Sequence, residues 1–172
     1  MNKSRVLVTL LAVAAVAAGA YLFNGDCSRY GTVTVRGDSM KGVLNDGQEV
    51  KVHTGYYSCH EPQVGDLVMV RYAGNSAPLA KQIRGKAGDV VTFAKDKYEE
   101  YVVLNGTPLL TTHAEFFYVD PTAKKLLQSY LTKESAIRLG AYLVLGNQPV
   151  GSTDSRDFGM IGKPQFLGRL YK

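Results

Sequence analysis

The sequence predicts a mostly β protein built on antiparallel strands, with one apolar segment ahead of it. Three observations carry this reading. Short β-branched stretches alternate in polarity with period two, glycine-rich turns separate them, and the N-terminal region holds a long uncharged run. A chain of 172 residues can bury one real core and carry a small elaboration.

The elements follow in order. Lys3 and Arg5 precede a run from Val6 to Phe23 that contains no charged residue. Its length falls within the roughly 17–25 residues that a spanning helix needs. Positive charge ahead of it keeps the N-terminus inside and exports the remainder. The same run is rich in alanine and includes Ala18-Gly19-Ala20, so a cleaved signal peptide is the other reading of the pattern. The expected organisation is a cytoplasmic N-terminus over 1–5, an anchor over 6–23, a polar linker over 24–30 and a folded domain over 31–172.

Strands are expected at Thr32–Arg36, Glu49–His53, Leu67–Tyr72, Asp89–Phe93, Tyr101–Leu104 and Tyr142–Leu145, with Lys81 inside a further one. Asn45-Asp46-Gly47, Val64-Gly65-Asp66, Gly88-Asp89 and Asn105-Gly106 supply the turns. Asp120-Pro121-Thr122 reads as a helix start, and Leu126, Leu127, Tyr130 and Leu131 share one helical face, which predicts a helix over 122–138. That helix sits in a small inserted α/β segment of about 95–140.

Composition narrows the function. The net charge is +5, and no lysine or arginine run has interleaved aromatics, so nucleic acid is not an expected partner. A mildly basic surface suits anionic lipid. Cys27 and Cys59 form no CxxC pair and have no histidine cluster nearby, which argues against a metal site. They are either two thiols or one disulfide. No cofactor is called for.

Three features carry chemistry. Gly37-Asp38-Ser39-Met40 follows a strand, and a serine there can stand on a tight turn with its hydroxyl exposed. Lys81 lies among apolar residues, and desolvation would lower its pKa until the neutral amine can accept a proton. Gly146-Asn147-Gln148-Pro149-Val150-Gly151-Ser152-Thr153-Asp154-Ser155-Arg156 follows another strand, with an Asp154–Arg156 pair expected at the surface.

Together these residues resemble the type I signal peptidases, membrane-bound serine peptidases with a Ser-Lys dyad. Ser39-Met40 matches that family's nucleophile motif. Lys81 with Gly85, Gly88 and Asp89 matches its lysine motif. Gly146, Ser152, Asp154, Ser155, Arg156 and Gly159 match a later box at the same spacing, and Leu167-Gly168-Arg169 resembles its closing strand. The sequence departs from the family in three places. No proline closely follows Met40, Gln82 stands where arginine is common, and Asn147, Gln148 and Pro149 replace Asp, Asn and Arg.

The resemblance implies a signal-peptidase-like antiparallel β domain. It implies Ser39 as nucleophile and Lys81 as general base, with Ser152 orienting the lysine and Asp154 and Arg156 bracing the loop. Met40 is a candidate for the substrate pocket. The implied substrate is a secretory preprotein with small residues before the cut, met on the extracytoplasmic side of the cytoplasmic membrane. Gly37 occupies a position where some members carry a second oxyanion hydroxyl. Two other readings compete. One is an autopeptidase of the SOS-repressor type, which shares a Ser-Lys dyad. The other is a silent relative that binds preproteins or pilins.

Overall fold

The computed structural model describes residues 27–73 and 77–172. The expected cytoplasmic N-terminus and anchor lie outside the described residues. Among the described residues no helix is long and apolar enough to cross a membrane.

The first sheet has six antiparallel strands, in the spatial order β1 (Arg29–Thr34), β2 (Glu49–Thr54), β10 (Phe166–Tyr171), β3 (Leu67–Val70), β4 (Leu79–Gly85) and β9 (Leu143–Leu145). The second sheet is built from β5 (Val91–Lys95), β6 (Glu100–Leu104) and β7 (Thr107–Pro108), with β8 (Tyr118–Val119) paired to β6. It forms from the chain that leaves the first sheet after Gly85 and returns at Leu143. Among the described residues, three short α-helices complete the fold: α1 (Tyr56–Cys59), α2 (Pro121–Gln128) and α3 (Ser155–Phe158).

The alternation read from the sequence sets these registers. Val50 and Val52 of β2 turn inward while Glu49 and Lys51 stay exposed. β1 starts at Arg29, inside the stretch read as linker, because Arg29 and Tyr30 pair with Thr54 and His53. Cys27 and Cys59 are joined as a disulfide just beyond that end, with their Cα atoms 6.1 Å apart.

β9 is the hinge of the architecture. All three of its residues are buried, although it lies at an edge of the first sheet. Val144 packs with Val68, Val70, Ile83 and Phe166 of the first unit. Leu143 and Leu145 pack with Val102, Phe117, Leu127 and Ile137 of the second. The second unit therefore covers an edge that would otherwise be open to water and to other strands.

The helix expected over 122–138 is shorter than its pattern suggests. Asp120 caps α2 through the Ala123 N–H at 2.8 Å, and Pro121 opens the first turn as read. The helix ends at Gln128, where the Ser129 hydroxyl donates to the Leu126 carbonyl at 2.6 Å. Beyond it, Thr132 Oγ1 accepts from the Glu134 and Ala136 N–H groups, and Ser135 takes a left-handed φ of 64°. Side-chain oxygens thus offer the backbone an alternative to the helix. Leu131 and Ile137 then pair as a β-bridge and enter the second core.

Leu127 joins α2 to that core and is fully buried. Leu127→Ala should lower unfolding stability by about 2–5 kcal/mol in urea titration, from lost burial plus the cavity left behind. A change below ~0.5 kcal/mol would show that α2 is not docked as described.

Candidate active site

The turn that carries Ser39 is shaped by its neighbours. Gly37 takes a left-handed φ of 78° and donates its N–H to Asp46 Oδ1 at 2.8 Å. The chain then winds through a helical turn, with the Lys41 N–H on the Asp38 carbonyl and the Leu44 N–H on the Met40 carbonyl. Met40 and Leu44 are buried among Val35, Val50, Val52 and Leu170. Apolar burial of Met40 fixes the turn, and Ser39 remains at the cleft beside it.

Lys81 is presented by β4, where it pairs with Val68 of β3. It is 1% exposed. Its amine donates to Ser39 Oγ at 2.8 Å and to the Ala80 carbonyl at 2.9 Å. Burial is the main cause that lowers its pKa from 10.5 to about 8. Asp154 and Asp157 pull the value up and Arg156 pushes it down. A lysine so placed holds a usable fraction of neutral amine near neutral pH, in contact with a hydroxyl it can deprotonate.

Asp154 and Arg156 make the loop after β9 rigid. The pair read as a surface ion pair is in fact buried, with Asp154 0% and Arg156 8% exposed. The carboxylate takes Arg156 Nε and Nη2 at 2.9 Å each. It also accepts the Gly146 N–H at 3.1 Å and caps α3. The guanidinium donates onward to the carbonyls of Gln148, at 3.1 Å, and Pro149, at 2.5 Å. This fork geometry is one that arginine supplies and lysine does not. Gln148 and Pro149, where the family carries other side chains, thus contribute backbone oxygens to the brace.

Ser152 is buried and lies beside Gly146, as does the Ser39 carbonyl, and its hydroxyl has no hydrogen-bond partner among the described residues. The structure therefore brings Ser39 and Lys81 together but forms no bond from Ser152 to the amine. Gly146 explains the crowding, since a Cβ there would stand 2.6 Å from the Ser39 carbonyl oxygen.

An apolar cleft of about 230 Å³ opens beside Ser39. Val33, Val35, Met40, Met69, Leu79 and Ala80 line it. Met40, the pocket candidate of the sequence, is among these residues. Sequence reasoning missed the others because they come from three separate strands and the segment after β1. It also missed Thr112, which lies outside every motif yet bonds to Asn147. Among the described residues no group of His, Cys, Asp or Glu is arranged to hold a metal ion.

A serine hydroxyl hydrogen-bonded to a buried amine, beside a small apolar cleft, fits the class of serine hydrolases that use an amine where others use imidazole. The chain belongs to the signal peptidase family: the family model described as "Signal peptidase, peptidase S26" matches residues 4–171. It is 31% identical over 141 residues to signal peptidase IB of Staphylococcus aureus (strain COL), covering 80% of this chain and 73% of that one. To signal peptidase I of Bacillus amyloliquefaciens it is 26% identical, covering 78% and 68% respectively. A crystal structure of a signal peptidase I from Enterococcus faecalis V583 aligns at 27% identity and TM-score 0.45, over 65% of this chain and 98% of that one.

Removing Asp154 would leave the Arg156 guanidinium buried without its counter-charge. Asp154→Ala should therefore cost about 3–5 kcal/mol in chemical denaturation. A loss below ~1 kcal/mol, the size expected of an exposed pair, would contradict the buried geometry.

Proposed function

We propose that this chain is a membrane-anchored endopeptidase that removes signal peptides from exported preproteins, with Ser39 as nucleophile and Lys81 as general base. The observation that carries the reading is the 2.8 Å contact between the Lys81 amine and Ser39 Oγ, made by a lysine almost wholly withdrawn from water. Family membership supports the reaction class.

In this reading neutral Lys81 takes the proton as Ser39 Oγ attacks the scissile carbonyl. The tetrahedral oxyanion gathers at the Ser39 backbone N–H, and collapse expels the mature protein's amine and leaves an acyl-enzyme. Lys81 returns its proton to that leaving amine. It then deprotonates the water that hydrolyses the ester, so the same group serves both halves of the cycle. Gly37 offers no hydroxyl two residues ahead of Ser39, so a second oxyanion donor must come from backbone or solvent. Ser152 is assigned to orient the amine. Its buried hydroxyl has no other partner among the described residues, which supports that assignment.

The cleft's small apolar volume suits small side chains before the cut. β1 lies at the edge of its sheet, and an extended peptide can add along it, with alternate side chains entering the cleft. We assign residues 6–23 as the anchor and the folded domain to the extracytoplasmic face. The Cys27–Cys59 disulfide supports that side, since such bonds persist in oxidising compartments.

The pH dependence follows from the base. Only the neutral amine is active, so activity should rise as pH passes upward through about 8, the folded-state pKa of Lys81. In a detergent assay on a preprotein, Lys81→Ala should reduce turnover by about 10²–10⁴-fold. Ser39→Ala should form no acyl-enzyme. Cleavage by either variant at the wild-type rate would overturn the assignment. Cleavage of the chain itself but of no preprotein would favour the autopeptidase reading.

A further inference from the structure

Asn147 takes no part in the chemistry above, yet its N–H and side-chain amide are engaged at the Ser39 turn and the loop beside it. It is 2% exposed. Its backbone N–H donates to the Ser39 carbonyl at 2.6 Å. Its Nδ2 donates to the Lys41 carbonyl at 2.7 Å and to Thr112 Oγ1 at 2.6 Å. Its Oδ1 accepts the Thr112 N–H at 3.0 Å. One residue thus holds the nucleophile turn at two points and ties it to a loop of the second unit.

That loop is itself well fixed. The Thr111 N–H bonds the Glu115 carbonyl at 2.9 Å, and Thr111 Oγ1 accepts the His113 and Glu115 N–H groups at 3.2 Å each. The Leu110 carbonyl receives Arg84 Nη2 at 2.9 Å, and Leu110 pairs with Phe116. Gly42 marks the close approach on the other side. It has a φ of +85°, and a Cβ there would stand 2.9 Å from Thr112 Oγ1 and 3.2 Å from Asn147 Nδ2.

The bonding pattern calls for an amide. Nδ2 gives two donor bonds and Oδ1 takes one, while an ionised carboxylate has acceptors only. The Thr112 hydroxyl can turn to donate to a carboxylate. The Lys41 carbonyl cannot, and it would be left facing negative charge.

We propose that Asn147 is a positioning residue that clamps the Ser39 turn to the Thr111–Glu115 loop, so that the second unit sets the placement of a nucleophile it does not touch. The proposal rests on the reading of Ser39 as nucleophile. Asn147 acts through that turn alone.

The test compares full-length wild type with Asn147→Asp and Thr112→Val, by preprotein cleavage and by amide hydrogen exchange. Asn147→Asp should lower kcat by about 10–100-fold, the scale of a small misplacement at a reacting atom, and leave KM within about twofold. Thr112→Val should lower kcat less, again with KM held. Exchange in Asn147→Asp should quicken over residues 39–44 and stay unchanged in the first sheet. An unchanged kcat, a loss carried by KM, or exchange that rises across the whole domain would overturn the clamp. Should wild type cleave no preprotein, the proposed function fails on its own. The exchange pattern then decides the clamp: local quickening supports it and no local change refutes it.

Discussion

An amine withdrawn from water is the constraint around which this domain is arranged. Charging Lys81 in its apolar setting is costly, and the protein meets that cost by lowering the lysine's proton affinity instead of pairing it with a carboxylate. Asp154, the acid whose charge acts most strongly on Lys81, is already committed to Arg156 through two bonds. Its pull on the lysine is thereby offset by the guanidinium it holds. A free carboxylate at that place would favour the ammonium over the neutral amine. The buried ion pair therefore does two things: it stiffens the loop after β9, and it keeps a negative charge near the site without surrendering the lysine to it.

The two units divide the work of holding this geometry. β4 brings Lys81 between β3 and β9, in the middle of hydrogen-bonded backbone. The Ser39 turn is anchored by Met40 and Leu44 in a separate apolar cluster. The second sheet covers the edge at β9 and supplies the loop that meets Asn147. Phe117 of that unit is fully buried, with the guanidinium carbons of Arg84 and Arg156 each 5.3 Å from its ring centroid. The brace behind the site and the core of the second unit thus share one aromatic ring.

Much of this could be read from the sequence, for identifiable reasons. Strands such as Glu49–Thr54 alternate over Glu49–Val52 because one face is buried, so period and structure agree there, although His53 is buried as well. Ser39 and Lys81 were identifiable as a pair through motifs in order, and the structure sets them 2.8 Å apart. What could not be read depended on distant partners. The helix after Pro121 stops early because Thr132 and Ser135 find closer bonds, which apolar spacing at Tyr130 and Leu131 does not reveal. The Asp154–Arg156 pair looked exposed because local sequence carries no record of what packs over it. Asn147 looked like a lost acid. Its value lies in Lys41 and Thr112, on segments 106 and 35 residues away.

The measurement that bears most directly on this account is the titration of Lys81 itself. With the lysine Cε carbons isotopically labelled and Lys81 identified by comparison with Lys81→Met, its resonance can be followed against pH in the folded protein. The midpoint is expected near pH 8, set by burial. A midpoint near ~10.4, the value of an ordinary solvated lysine, would contradict it.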